Sequence, residues 1–544
     1  MDMVKRFVEI EVDKNGERIE LNVDENTRCL TQDQSQSNNF KMFQGKKIYQ
    51  EKEIMNKHFG KYPTIYVNFR SVQADDYEGV LDRLRIVLYE AFQKHPYLLK
   101  SDLWNREGFN KEVFMEYYDD VKVNSLSLRQ VEYGLKKLSQ YLCEHYGKQV
   151  YVFIDEFDVP VNSMVYDNKM KDDDREKVIQ LIGLMISNLV KDNVFVERSL
   201  SNACHQLGGI LLGSANNVKI SRFLQDNSFA EFYGFEQTEV RSILEKAGRA
   251  EYFDVVKRMY DGYKTKSTDG KDIEIYSPWS ILNCIYFKNF ENYWAAYIPS
   301  KIKSQIGHPK IRLKLKDMLS GYSVKIVSIP KFESIEIQKL IAIVNISELD
   351  TSDVDLFVQF LYELGFFRIT KKENNDLWLD IPNDSVRNEI DSYIHKYDSV
   401  KAFYNHSTES INDLIESVKH VGESRDENSV RDLAKSIEAL FKAGTMPVTK
   451  EMDVHETLDV YMRQHFLYVA NECYTSGDKK CDTILFDKER KVVIVFEWKF
   501  GKRSKRISST AGHKQIFEKG YHTILDKKSL ATIFPTDTSD VEQR

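Results

Sequence analysis

The chain has 544 residues, 42% hydrophobic and 12% aromatic, which is too long for one core and excludes a disordered or fibrous protein, so two or three domains are expected. Lys and Arg number 77 against 84 Asp and Glu, a formal net charge of -7, so the chain as a whole does not advertise itself as a polyanion binder and any nucleic-acid contact must be local. Cys29, Cys143, Cys204, Cys284, Cys473 and Cys481 form no C-x-x-C pair and no zinc-ligand spacing, and no apolar stretch is long enough to cross a bilayer. The start, Met1 to Phe7, lacks the apolar run of a signal peptide. The expectation is an intracellular protein of cytoplasm or nucleus, not secreted, with reduced thiols and no membrane partner; its oligomeric state is left unknown.

From the N-terminus, Tyr62 to Arg70 reads as a buried strand, and Val80, Leu81, Leu84 and Leu88 mark one face of a following helix. Gln149 to Ile154 reads as a second strand and Gly209 to Gly213 as a third. Apolar strands alternating with helices predict a parallel sheet covered on both faces, in an α/β domain over residues 1–300. The second strand runs into Asp155-Glu156, the build of a Walker B element, in which Asp holds the magnesium hydration shell and Glu orients water. The phosphate-binding loop G-x-x-x-x-G-K-[ST] is missing from the sequence: Gly-Lys pairs begin at Gly45, Gly60, Gly147, Gly270 and Gly501, none followed by Ser or Thr. Asp155 and Glu156 are therefore expected to be vestigial, and ATP is not expected as a cofactor.

Residues 301–400 read as a helical, winged-helix-like module. A helix around Val354, Phe357, Val358 and Leu361 leads to two short strands, Phe366 to Thr370 and Leu377 to Leu379, and Ile381-Pro382-Asn383 breaks the chain. Such a module packs between domains more often than it reads DNA. Residues 401–444 read as linker and helices, with 407–430 as a flexible join, and 445–544 as a further α/β domain.

That last segment has the clearest chemistry. Cys481 to Asp487 and Val492 onward are β-rich runs about a short charged turn. If Asp487 pairs with Val492, Asp482 stands opposite Glu497, and the two-residue period of a strand brings Lys499 to the same face. Two carboxylates that close repel unless a cation lies between them; Mg2+ or Mn2+ held by Asp482 and Glu497 would polarise a phosphoryl oxygen and activate water, with Lys499 orienting that water. An isolated Asp, Glu and Lys is more often a solvated, salt-bridged hairpin end. Here Glu472 precedes the hairpin, Gln515 lies on a following helical run, and the basic residues Lys499, Lys502, Arg503, Lys505 and Arg506 follow at once, a pattern that neutralises backbone phosphates.

The set Glu472, Asp482, Glu497-x-Lys499 and Gln515-Ile-x-x-Lys-Gly-Tyr resembles the PD-(D/E)XK nuclease domain at the C terminus of the AAA-ATPase-like family. An upstream Glu and His pair of that family is matched by Glu451 and His455. The family's Gly-Arg-x-Asp is replaced here by Lys479-Lys480-Cys481-Asp482. Further blocks resemble the same family in order: Phe153-Ile-Asp-Glu-Phe-Asp158-Val-Pro160-Val-Asn162, Gly209 to Gly213 with Asn216-Asn217, Asp261-Gly262-Tyr263, Pro278-Trp279-Ser280, and Tyr293-Trp294. The aromatic and Pro blocks are read as packing anchors. In that family the phosphate loop leads into a helix like Met1 to Phe7, which leaves two readings, a loop encoded upstream or a domain that has lost its phosphate cradle.

The resemblance implies a P-loop AAA-ATPase-like parallel sheet, the winged-helix-like middle region, and a C-terminal restriction-endonuclease-like α/β domain that hydrolyses DNA or RNA with Glu472, Asp482, Glu497, Lys499 and Gln515. Two rivals are a non-catalytic nucleic-acid or protein interaction module, and a nucleotide-switched signalling ATPase if an upstream Walker A is restored.

Overall fold

Two of the apolar runs lie side by side in the computed structural model as β1 (Thr64–Asn68) and β2 (Val150–Asp155), parallel from Thr64↔Tyr151 to Asn68↔Asp155. The structure describes residues 1–496 except 25–29, 32–33, 35, 168, 214, 216, 223, 227, 295–297, 346–350, 425, 445–450, 466–467, 475–479 and 488–491. The chain divides into two units. The first holds Met1–Ile243, Gly262–Ser277 and Lys325–Leu379, the second Leu244–Asp261, Pro278–Val324 and Asp380–Arg544.

In the first unit the third strand is not the run Gly209 to Gly213. It is β3 (Val196–Ser201), parallel to β2 from Tyr151↔Arg198 to Ile154↔Ser201, in the order β1-β2-β3. Residues Gln206–Leu212 instead form a 3-10 helix that buries Leu207, Gly208 and Leu211; two neighbours buried together with a third residue three further on suit a helix face, whereas a strand sends neighbours to opposite faces. β3 escapes a search for apolar runs because it is an edge: Glu197, Arg198 and Ser199 are exposed, and charged edges keep a sheet from pairing further.

Helix Tyr77–Gln93 follows β1 and buries Val80, Leu81, Leu84 and Leu88, as the pattern predicts; Asp76 caps it by accepting from the Gly79 amide at 2.8 Å. Helix Leu128–Tyr146 opens with a Ser127 and Gln130 capping box and closes on Gly147 at φ +61°, a left-handed turn that glycine adopts without strain. It delivers the chain to β2, and Val131, Leu135, Leu138 and Leu142 form its buried stripe. Helix Val159–Asp167 starts just beyond β2, and helix Asp172–Val190 buries Val178, Leu181, Ile182, Met185, Ile186 and Leu189. Each such side chain contributes roughly 1.5–3 kcal/mol when fully buried.

Two further three-stranded sheets lie mainly in this unit, the first of them antiparallel. One has β4 (Phe235–Glu236), β5 (Tyr263–Lys266) and β6 (Asp272–Tyr276) in the order β4-β6-β5. The other has β7 (Val324–Val327), β8 (Arg368–Glu373) and β9 (Asp376–Asp380) in the order β7-β9-β8, so the expected hairpin gains a strand. The helix expected before it is Thr351–Glu363. Tyr263 anchors β5 by donating to the Gly365 carbonyl at 2.6 Å.

In the second unit the stretch read as a flexible join is helical. Helices Thr408–Ser424 and Glu427–Ala443 pack as a pair, with Ser417 and Ser436 bonded at 2.7 Å. Ile411, Leu414, Ile415 and Val418 recur at helical spacing and are buried, so few apolar residues suffice when all lie on one stripe. They share a core with Leu433, Leu440, Leu458, Tyr461 and Leu485. Helix Glu451–His465 lies on the antiparallel strands β10 (Tyr468–Tyr474) and β11 (Lys480–Asp487), and β12 (Val492–Phe496) follows in the order β10-β11-β12. The landmarks of this unit act as anchors: Trp294 donates to the Ser385 hydroxyl at 3.2 Å, and the Asp261 carbonyl accepts from Asn383 at 2.8 Å. Among the described residues, no helix is long and apolar enough to cross a membrane.

Candidate functional site

The C-terminal strands meet in the register that the sequence implies. Along the β11 and β12 ladder the partners run from Asp487↔Val492 to Thr483↔Phe496, and the next residue of β11 is Asp482. On the other side of β11, Asn471↔Thr483 and Cys473↔Cys481 bracket Glu472 and Asp482. Glu472 and Asp482 are thus the backbone positions that lie between these two pairs on the adjacent strands. The core residue Leu485 is fully buried, and Asp482 is out of phase with it along the strand. Glu451 and His455 are one turn apart in helix Glu451–His465. Glu497, Lys499, Gln515 and the basic residues Lys502, Arg503, Lys505 and Arg506 lie outside the described residues. Among the described residues, no group of three or more His, Cys, Asp or Glu could hold a metal ion.

In the first unit, Asp155 and Glu156 stand at the C-terminal end of β2, where the parallel sheet presents its strand ends. The Tyr66 hydroxyl donates to Asp155 Oδ2 at 2.9 Å, and burial raises that phenol above its ordinary pKa. Lys94 donates to the Tyr66 carbonyl at 2.9 Å with its ammonium over the Tyr66 ring. Glu156 has φ +52°, a left-handed conformation uncommon outside glycine. It is held there by Asn202, just past β3: Asn202 Oδ1 accepts from the Glu156 amide at 3.1 Å, and the Asn202 amide donates to the Ile154 carbonyl at 3.0 Å.

Beneath this turn lies a polar cluster. Asp158 is fully buried, and its Oδ2 accepts from Asn162 Nδ2 at 2.7 Å, the Cys204 amide at 3.0 Å and the His205 amide at 2.9 Å. Three donors on Oδ2 offset much of the cost of burying this carboxylate, while its Oδ1 is buried without a hydrogen-bond partner. His205 Nε2 bonds the Tyr166 hydroxyl at 2.9 Å, and burial lowers the imidazole pKa against the pull of Asp158. Residues 202–208 are thereby drawn onto the turn 154–158.

Gly208 permits that approach, since a Cβ there would lie 2.8 Å from Asp158 Cβ and 2.9 Å from Phe157 Cε2. Gly208→Ala is expected to destabilise the first unit by about 1–3 kcal/mol, because neither neighbour is a flexible side-chain end. A urea midpoint equal to that of the parent protein would contradict this packing.

Comparison with known proteins bears on the first unit. Residues 27–194 match the family model of a predicted AAA-ATPase. The AAA-ATPase-like segment spans β1, β2 and the Asp155-Glu156 turn, and ends before β3 and the C-terminal strands. No curated protein and no solved structure matches the chain.

The sequence marks Asp155 and Glu156 at a strand end but gives no sign of Asn202 and His205, because the apolar run that reads as the third strand is 209–213 and not 196–201. Asp158 was legible only as part of the Phe153 to Asn162 block. Its signal was a carboxylate within an otherwise apolar run, which demands buried partners.

Proposed function

We propose that the chain is a metal-dependent nuclease, hydrolysing DNA or RNA phosphodiesters at the Asp482 strand, with an AAA-ATPase-like segment ahead of it. The observation that carries this reading is the pair of ladders on β11. They bracket Asp482 with Glu472 on one side and run toward Glu497 on the other. The period of two puts Asp482 on the sheet face opposite Leu485, so the carboxylates are assigned to the side away from the helical core.

Asp482 and Glu497 would hold Mg2+ or Mn2+, which supplies polarisation of a phosphoryl oxygen and acidification of a bound water when present. Lys499, two residues beyond Glu497, orients the attacking water and offsets negative charge developing on the phosphorane oxygens. Glu472 and Gln515 position the carboxylates and the water. Lys502, Arg503, Lys505 and Arg506 neutralise flanking phosphates, so binding should weaken steeply with salt. The test is incubation of the purified chain with plasmid and with single-stranded oligonucleotides, with Mg2+, with Mn2+ and with chelator. Cleavage that needs the cation supports the reading, whereas salt-sensitive binding without cutting favours an interaction module.

A second reading has one observation in its favour, the Asp155-Glu156 turn within the segment that matches the predicted AAA-ATPase model. In it the first unit is a nucleotide switch, and a rise in melting temperature with Mg2+ and ATP would support it.

A further inference from the structure

The last residue of helix Thr351–Glu363 reaches the same segment that clamps the Asp155-Glu156 turn, but from its other side. Glu363 Oε2 accepts from the Gln206 amide at 3.1 Å, one residue beyond the His205 amide that Asp158 holds at 2.9 Å. Consecutive amides of one short segment are thus gripped by two carboxyl groups, Asp158 from the β2 side and Glu363 from the helix. The same helix places Phe360 against His205 and Tyr166, with ring centroids 5.8 and 6.4 Å apart. Its Gln359 bonds both polar backbone groups of Ile329, at 2.7 and 2.9 Å. All of these residues belong to the first unit.

We propose that Glu363 is a latch that couples helix Thr351–Glu363 to the Asp155-Glu156 turn. When the carboxyl leaves the Gln206 amide, segment 202–208 loses its outer support, and both the Asn202 bond that holds Glu156 at positive φ and the Asp158 bonds to the Cys204 and His205 amides loosen with it. The catch is protonation. Burial pushes the Glu363 carboxyl up to about 7, while the Gln206 amide, Gln359 and the Arg222 charge oppose that rise. Its place at a helix C-terminus, where carbonyl dipoles point at it, adds a further cost to the anion.

The groups facing it are Arg222 from the stretch before β4, Gln206 from the 3-10 helix, and Tyr362 and Gln359 on its own helix. The latched state therefore binds more protons than an opened one with an ordinary carboxyl. Opening rises with pH between the ordinary carboxylate value and about 7, and levels off above it. His205, held neutral by burial, acts in the opposite sense, favouring opening as pH falls.

The experiment is amide hydrogen exchange on the full chain at pH 5.5 and 7.5, corrected for intrinsic rates, comparing the parent protein with Glu363→Gln and Glu363→Ala. Glutamine keeps a neutral acceptor for Gln206 and leaves His205 in place, so the ratio of parent to Gln variant isolates the carboxyl. Opening of residues 154–166 in the parent relative to Glu363→Gln should rise roughly tenfold across that interval. Glu363→Ala should expose 154–166 at both pH values. Identical pH profiles in parent and Gln variant, or faster exchange confined to 351–363 and 206–212, would overturn the latch. Should the Ala variant not fold, the first comparison decides alone.

Discussion

Asp482→Ala is expected to lower Mg2+- or Mn2+-dependent cleavage by at least about 10³-fold while the melting transition stays in place. The activity falls because alanine removes one of the two carboxylates proposed to share the cation. The fold is expected to persist because Asp482 is out of phase along β11 with Leu485, which is fully buried in the helical core. Lys499→Ala separates the two roles. In the proposed mechanism Lys499 orients water and offsets charge without ligating the cation, so this variant should lose turnover while cation binding, followed by calorimetry, is retained. Cleavage that survives both changes would remove the site from this hairpin.

Asp158→Ala should destabilise the first unit by about 3–5 kcal/mol. The side chain is fully buried and takes three hydrogen bonds on one oxygen, so its loss strands the Cys204 and His205 amides and the Asn162 amide without an acceptor. Asp158→Asn keeps the volume and one carbonyl acceptor and should recover part of that loss. Urea unfolding followed by exchange of the β2 amides reads the first unit separately. A change within about 0.5 kcal/mol for alanine would mean that these bonds contribute little beyond what water offers the same groups.

Particular residues explain how far the fold was legible. Residues Tyr62 to Arg70 and Gln149 to Ile154 announce strands because the sheet buries them: Ile65, Val67, Val152 and Ile154 are almost fully buried. Val196 to Ser201 announces nothing, because Glu197 and Arg198 obey the needs of an edge, and Gly209 to Gly213 misleads because an apolar run suits a short helix as well as a strand. Residues 407–430 read as a join because their composition is polar, yet Ile411, Leu414, Ile415 and Val418 align once wound at 3.6 residues per turn.

The hairpin register needed only local rules. A short connection and strict alternation leave Asp487 opposite Val492, and the pairs down to Thr483↔Phe496 follow by counting. The clamp on the Asp155-Glu156 turn obeys no such counting. Asn202, His205 and Glu363 are separated from β2 by whole helices, and only the folded chain brings them to it. Side chains that serve a distant turn carry no periodic mark, because what selects them is the satisfaction of buried polar groups across the sheet end and not the pitch of their own element.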